Sequence, residues 1–371
     1  MKHDAPIADP PASRRLLDKL LLHGQVTRRQ IGEGFGMSKV AASKHVDWLK
    51  RHRLAHSREM RLPDVRRPVE VLSVNDQLAT AMGIELSSSQ TTVGLVGAGA
   101  KLLDEQRFAV RSASQASVLD SVREAAGWAS QRVRSMKRSL HLAGLSVTGY
   151  LEPTSGMIFN VAGIADWAPC HLGDVVAELS GVVTLPWTSV SCRLRGLSRR
   201  VGVDHRLGYL AYAGGRLAVA TLMHGSVAMG RFGTGGGAVH QSVSDATHVC
   251  ICGRRGCLDE HLRRGDASPD MVMAAVPGVL RAMRALTVGI EWPCESRALE
   301  DLCREAGINA LHRIDPGDVD ALEREGLHLA CARAMLNDAM TRLRRGRARR
   351  VVNHEAFKPL ADAGADPVSH R

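Results

Sequence analysis

Three cysteines lie within eight positions of one another in the second half of the chain, and no other segment restricts the fold as strongly. They are Cys250, Cys252 and Cys257, with a glycine after Cys252, another before Cys257, and two histidines upstream, His240 and His248. Glycine adopts positive φ without a Cβ penalty, so the chain can turn sharply and bring the thiolates together. One imidazole would complete a tetrahedral Cys3His shell, and a shell with no open position is structural rather than catalytic. The sequence therefore predicts a structural Zn²⁺ ion but does not decide which histidine binds it.

The alternative is a group of buried free cysteines, because a free cysteine behaves as a small hydrophobe. The chain has eight cysteines, and three of them in one cluster fit a reducing compartment better than a disulfide scaffold.

No apolar run approaches the length of about 20 residues that a membrane-spanning helix needs. The first eleven residues contain no apolar segment of the kind found in secretory signals. We therefore expect a cytoplasmic protein with no membrane partner.

Positive charge is concentrated near the N-terminus. Residues 1–72 carry 15 Lys and Arg against 8 Asp and Glu, whereas the other 299 residues carry 34 against 30. A basic region of this kind matches the charge that a protein needs to neutralise DNA phosphates. This charge favours a nucleic-acid partner. The alternative is a basic surface that only contacts solvent.

The basic region has the pattern of a helix-turn-helix. Periodic leucines predict a helix over 14–23, Thr27 can cap a second helix over 28–35, and Ser38 can cap a third helix over 39–51. Glycines separate these helices. In a helix-turn-helix the last helix enters the major groove through its N-terminal residues. The alternative is a small helical cap or a protein-interaction domain.

Two short strands, 54–60 and 69–74, follow the helices, and the basic segment between them would be the wing of a winged helix. Arginine on such a wing can contact phosphates or the narrow minor groove. The candidate DNA contacts are of two kinds. Residues at the start of the third helix would contact base edges, and arginines would contact phosphates. The set is Ser38, Lys39, Ser43 and Lys44 for the helix, and Arg28, Arg29, Arg66 and Arg67 for the phosphates.

The rest of the chain alternates strands and helices, and the pattern occurs twice. Strands are expected over 81–96, 102–110 and 142–150 with a helix over 118–140, and a second set begins near residue 182. This order predicts a mixed α/β fold of two related lobes. Since 371 residues fit two or three domains, we divide the chain into 1–76, 77–185 and 186–371, with the metal-binding loop in the last.

The chain resembles the ROK family of repressors, uncharacterised reading frames and sugar kinases. The resemblance covers nearly the whole chain and is most specific at the cysteine segment, Cys-x-Cys-Gly-x-x-Gly-Cys-Leu, where Asp259 replaces the family's glutamate. A family Gly-Arg-Pro linker appears as Arg66-Arg67-Pro68. The resemblance implies a winged helix-turn-helix followed by an actin-like (ribonuclease-H-like), two-lobed body of the ATPase type. It also implies that His240 is the fourth metal ligand.

The residues that family kinases use for catalysis are missing. Compared without gaps, the family's Asn-Asp pair falls near Val190-Ser191, and its Glu-x-Gly-His segment reads Gly237-Ala-Val-His240. A serine cannot accept a proton at neutral pH as a carboxylate can. The phosphate loops also depart from the family, at Glu85–Ser89 and at 213–217, and Val351–Glu355 stands where the family has two glycines. The sequence therefore predicts that the protein is not an enzyme.

These observations predict a cytoplasmic DNA-binding transcriptional repressor that binds a pseudo-palindrome as a homodimer or a dimer of dimers. Two other functions stay open: a sugar kinase with an accessory domain, and a zinc-stabilised protein-interaction module. A sugar effector has little support, because the family's acceptors for sugar hydroxyls are lost. Asn160 and Asp166 could bind a polar molecule, but local roles in turns are favoured.

Overall fold

Three helices and a small antiparallel sheet form the N-terminal part of the molecule. A computed structural model describes residues 10–61, 67–213, 215–228, 239–245, 247–250, 252–293 and 296–344. The elements of this part are α1 (Pro10–His23), β1 (Val26–Thr27), α2 (Arg28–Phe35), α3 (Lys39–Arg51), β2 (Ala55–Met60) and β3 (Val69–Val74). The strands pair in the order β1-β3-β2, all antiparallel. Residues 62–66 of the expected wing lie outside the described residues.

Apolar side chains of all three helices form the core of this part. Leu16, Leu17 and Leu20 of α1 and Ile31 of α2 are fully buried. The ring Nδ1 of His45 in α3 lies 3.1 Å from the Ser13 hydroxyl oxygen in α1, within hydrogen-bonding distance. The leucine periodicity of the sequence thus becomes the packed face of α1.

The next part of the chain forms a five-stranded mixed sheet. Its elements are β4 (Thr80–Leu86), β5 (Gln90–Gly97), β6 (Leu102–Ala109), α4 (Gln115–Ser135), β7 (Leu140–Val147), β8 (Gly149–Leu151), β9 (Ile158–Val161), α5 (Leu172–Ser180) and β10 (Thr184–Thr188). The sheet order is β10-β7-β4-β5-β6, and β8 pairs with β9 alone. Strands β4, β5 and β6 are antiparallel, whereas β7 and β10 run parallel to β4. Helices α4 and α5 contribute Val118, Val122 and Val176 to a core shared with the strands.

A second five-stranded sheet repeats this topology. Its part of the chain contains α6 (Ser189–Val201), β11 (Leu207–Ala213), β12 (Arg216–Met223), β13 (Ser226–Val227), α7 (Leu258–Arg264), α8 (Pro269–Met283), β14 (Thr287–Glu291), α9 (Arg297–Glu305), β15 (Ala310–Arg313) and α10 (Val319–Arg344). The order β13-β12-β11-β14-β15 again joins three antiparallel strands to two parallel ones. The repeated α/β set expected from the sequence is therefore present as two sheets with the same connectivity.

Helices α6 and α10 pack closely between the two sheets. Leu194 and Leu197 of α6 and Leu322 of α10 are buried together with residues of β11 and β12. On the other sheet, Gly94 and Gly144 are the register partners of Gly83, so three glycines form one row across the strands. A Cβ at Gly144 would overlap the Cys331 sulfur of α10. The glycine row lets the helix approach the strands.

We expect that a single methyl group at the crossing of α6 and α10 destabilises the protein strongly. A Cβ at Gly326 would overlap the backbone carbonyl of Cys192, and no flexible side chain can move aside there. Gly326→Ala should lower the free energy of unfolding by roughly 3 kcal/mol or more. Gly127→Ala in α4 is the matched control, because nothing lies within 4 Å of its Cβ position, and it should raise stability by up to about 1 kcal/mol. Urea unfolding measures the stability of both variants. Equal changes in the free energy of unfolding would contradict a close contact between α6 and α10 at Gly326.

The chain divides into a large unit, residues 1–336, and a small C-terminal unit, residues 337–371. Of the small unit, the structure describes residues 337–344, which continue α10. Among the described residues, no helix has both the length and the apolar character that crossing a membrane requires.

Candidate functional site

The predicted metal ligands come together in the large unit. The ligand atoms of His240, Cys250, Cys252 and Cys257 all lie within 4.8 Å of one another. The sulfurs of Cys250 and Cys257 are each 3.5 Å from Nδ1 of His240, and the sulfurs of Cys252 and Cys257 are 4.0 Å apart. Ligand atoms of a tetrahedral zinc site, with Zn–S near 2.3 Å, are separated by about 3.8 Å. The separations therefore fit a four-coordinate ion, and His248 is exposed outside the group.

Short backbone contacts shape the loop around these ligands. The amide of Cys250 donates to the carbonyl of Arg254 at 2.9 Å, and the amide of Gly253 donates to the carbonyl of Cys250 at 2.8 Å. Gly253 and Gly256 have positive φ of 84° and 58°. A Cβ at Gly256 would also overlap the carbonyl oxygen of Ser244. The two glycines of the motif thus fold the loop tightly enough to bring the sulfurs together.

The cluster is chemically suited to a cation. Cys250, Cys257 and His240 are buried, and Cys252 is half-buried. Burial raises the pKa of Cys250 to about 12 and also raises the pKa of Cys257. Buried thiols of this kind ionise when a divalent ion binds, because the ion's charge compensates the thiolates. The donor set and its spacing thus fit zinc, which prefers thiolate and imidazole ligands.

A carboxylate connects the cluster to the rest of the fold. Asp259, in the first turn of α7, has its Oδ2 4.0 Å from Nδ1 of His240, and its Oδ1 accepts a hydrogen bond from the Tyr150 hydroxyl. Tyr150 belongs to β8, on the side of the first five-stranded sheet. Sequence reasoning did not identify this bond, since the two residues are 109 positions apart.

The start of α3 has the geometry that the sequence predicted. The Ser38 hydroxyl accepts from the amide of Ala41 at 3.2 Å, so Ser38 is the N-cap. The buried face of the helix consists of Ala42, His45, Val46, Trp48 and Leu49. Lys39 and Lys44 are exposed. In the part of the chain that the structure describes, neither lysine forms an ion pair.

Two of the candidate DNA contacts are instead engaged inside the N-terminal part. Arg28 donates to the carboxylate of Glu70, and it also donates to the Ser43 hydroxyl at 3.1 Å. Lys50 donates to the other oxygen of Glu70 at 3.0 Å. Glu70 of β3 thus joins α2 and α3, and these contacts position the helices. Arg28 and Ser43 are therefore less available to DNA than the sequence suggested.

Two other arginines of the predicted set, Arg29 and Arg67, lie at the surface. The Arg29 side chain is 84% exposed and pairs with Glu33 at 2.7 Å, a contact along one turn of α2. Arg67 is exposed at the end of the segment that precedes β3. Arg66 lies outside the described residues. Exposed ion pairs such as Arg29–Glu33 are worth little, so this arginine can exchange its partner for a phosphate.

Removal of the Glu70 charge should weaken the N-terminal part. The hydrogen bond from Arg28, with further hydrogen bonds from Ser57 and Lys50, lowers the pKa of Glu70 from 4.5 to about 2. A lowered pKa adds stability that is present above pH 4.5 and is lost as the pH falls towards 2. Because the pair is partly exposed, we expect Glu70→Gln to cost only about 1 kcal/mol at neutral pH.

Hydrogen exchange of the α3 amides in the full-length protein measures this loss at pH 7 and again at lower pH. Glu33→Gln is the matched control, because among the described residues Glu33 forms an ion pair only with exposed Arg29, and its effect should stay within about 0.5 kcal/mol. If Glu70→Gln leaves exchange unchanged at pH 7, Glu70 does not hold the two helices together.

A cavity of about 450 Å³ lies between the two five-stranded sheets. Its walls include Tyr150, Val190, Arg193, Arg216, Asp259 and Glu291. Ser191 of α6 is buried next to Thr188, Ser189 and Val190 of the cavity wall, and its hydroxyl lies 2.7 Å from that of Thr188.

The acidic residues near this cavity are committed to contacts within the protein. Arg193 donates to Glu291 at 2.9 Å and to Glu323 at 3.0 Å. Glu323 also accepts from the Ser146 hydroxyl at 2.6 Å. Burial, together with the nearby charge of Glu323, raises the pKa of Glu85 to about 8. Sequence reasoning missed this network, because its five members lie on five separate elements.

The polar residues considered for a ligand have local roles. The Asn160 side-chain oxygen accepts from the amide of Tyr150 at 2.7 Å. The Asp166 carboxylate accepts from the amide of Gln115 at 3.0 Å, at the start of α4. Both residues accept hydrogen bonds from backbone amides, which agrees with the local roles that the sequence favoured.

Comparisons with known proteins identify the family and structures with a similar fold. The model of the ROK family matches residues 81–332. A solved ROK family transcriptional regulator, a homologue of the E. coli MLC protein, is similar at a TM-score of 0.59 and 14% identity, over 90% of this chain and 99% of that chain. The ROK hexokinase from Thermus thermophilus is similar at 0.51 and 17% identity, over 67% and 97%. No curated protein matches the sequence significantly. At such identities the solved structures show the fold alone.

Proposed function

The chain belongs to the ROK family, and we propose that it is a DNA-binding transcriptional repressor of the cytoplasm. The observation that carries the proposal is the N-terminal part, in which α2, a short turn and the capped helix α3 precede two antiparallel strands. This order is that of a winged helix-turn-helix, with α3 as the recognition helix. The similarity to the solved regulator covers 90% of this chain, whereas the similarity to the hexokinase covers 67%.

The body supports a regulator rather than a sugar kinase. A phosphoryl transfer to a sugar needs a group that accepts the hydroxyl proton. The resemblance puts that group near Ser191, whose hydroxyl lies beside that of Thr188. Glu291 of the cavity wall and the buried Glu323 both already bind Arg193. We therefore propose that the actin-like body does not transfer phosphate and that it serves assembly. A sugar effector would have to bind without the two carboxylates that, by the resemblance, accept from sugar hydroxyls in the family.

Zinc at His240, Cys250, Cys252 and Cys257 would be structural. All four positions of a tetrahedral shell are supplied by the protein, so none is open for a substrate. The ion would fix the loop that leads into α7.

We propose that the chain has three domains: residues 1–76 for DNA binding, 77–185 for the first lobe of the body and 186–371 for the second lobe.

One recognition helix contacts only a short half-site, so we propose a homodimer or a dimer of dimers on a pseudo-palindrome. The test uses full-length, zinc-loaded protein in a selection from random duplexes at physiological salt, with a sugar-dependent ATP consumption assay beside it. The proposal expects an enriched inverted repeat and no ATP consumption above background. Failure to enrich any sequence would favour a protein-interaction module, and sugar-dependent ATP consumption would favour a kinase.

A further inference from the structure

Val40 is an apolar side chain on the outer face of α3. It is 66% exposed, more than the other large apolar side chains that are exposed in the described part of the chain, Leu102, Leu179, Val183 and Val249. At 100° per residue it points away from the buried face of the helix, which Val46 and Leu49 represent. Packing within the protein therefore does not account for a valine at this position.

The neighbours of Val40 on α3 are two lysines and a serine that is already hydrogen-bonded within the protein. Lys39 and Lys44, one position before it and one turn after it, are exposed. Ser43 accepts a hydrogen bond from Arg28 at 3.1 Å, so its hydroxyl is less available to a base than the sequence suggested. The first two turns of α3 thus present one short apolar group between two positive charges.

A duplex major groove complements this surface. Its phosphates match the lysines, and among the base pairs only those with thymine carry a methyl group in the groove. Valine is stiff at χ1, so it loses little freedom on contact. We propose that Val40 reads the 5-methyl group of a thymine in the half-site, and that it determines sequence preference in place of Ser43. This inference rests on the proposed DNA-binding function.

The test compares thymine with uracil, which differ only in that methyl group. A duplex selected from a random pool is remade with deoxyuridine at one thymine position at a time, and dissociation constants are measured for wild type and Val40→Ala. Wild type should prefer thymine over uracil about fourfold at one position of each half-site, the effect of burying one methyl group. Val40→Ala should bind both duplexes nearly equally and lose about fourfold on the thymine duplex.

Val183→Ala is the matched control, since Val183 is 44% exposed and belongs to the body. It should keep the thymine preference unchanged. Because Val40 is exposed, Val40→Ala should unfold at the wild-type temperature, so lost affinity does not reflect misfolding.

Two failures are distinguishable. If the pool yields no sequence, the DNA-binding function itself fails. If a sequence is selected but uracil changes nothing at any position, or Val40→Ala keeps the wild-type preference, DNA binding stands and the role of Val40 is overturned.

Discussion

Cys257→Ser is expected to abolish stable zinc binding. Cys257 is fully buried, its sulfur lies 3.5 Å from Nδ1 of His240, and it stands at the N-cap of α7. A serine hydroxyl does not ionise as a thiolate does, so one of four ligands is lost from a closed shell. We expect zinc affinity to fall at least about 1,000-fold, which corresponds to about 4 kcal/mol. Competition with a chelating dye measures the affinity, and metal analysis after dialysis gives the stoichiometry.

Cys303→Ser separates this effect from the loss of any buried thiol. Cys303 is 2% exposed and lies in the core of the second five-stranded sheet, away from the four ligands. The variant should lose some stability because it buries a hydroxyl, yet keep one zinc per chain. Retention of wild-type zinc affinity by Cys257→Ser, or a chain without zinc before any substitution, would remove the metal site from the proposal.

The second large effect is expected in DNA recognition, from the double variant Lys39→Ala, Lys44→Ala. Both lysines are exposed near the start of α3, where a recognition helix contacts base edges. A good contact to a base is worth about 1–3 kcal/mol, so the loss of two such contacts should weaken binding of the selected duplex at least roughly 30-fold. Fluorescence anisotropy with selected and scrambled duplexes measures the loss, and the selected duplex should lose more.

Lys101→Ala is the control for a lost positive charge. Lys101 is exposed in the turn between β5 and β6 of the body, and its loss should change neither duplex's affinity by more than about twofold, since screening limits distant charges. If the double variant binds the selected duplex as tightly as Lys101→Ala does, then α3 is not the recognition helix.

Local sequence signals placed the N-terminal helices well. Ser38 accepts from an amide in the first turn of α3, and the helix occupies residues 39–51 as expected. Capping and leucine periodicity act over a few residues, so they can be recognised in the sequence alone. The helix expected over 118–140 was placed too far along the chain, because it ends at Ser135 and Lys137 turns the chain with a φ of 55° into β7.

Long-range contacts could not be recognised in this way. Spacing did not separate His240 from His248, and only the fold brings His240 to the sulfurs. Arg193 and Glu323 are 130 positions apart, and nothing near either residue indicates the pair. The engagement of Arg28 by Glu70 was missed for the same reason, since the charge pattern of a helix does not show which strand lies beside it.

The measurement that tests DNA binding by the N-terminal part most directly is a salt series. Affinity for the selected duplex is determined for wild type and Arg67→Ala between about 50 and 200 mM salt, a range over which several phosphate contacts change affinity by orders of magnitude. We expect a steep decline for wild type, and for Arg67→Ala a slope shallower by about one on selected and scrambled duplexes alike. Absence of DNA binding at low salt with zinc present, or binding that salt does not change, would contradict the proposal.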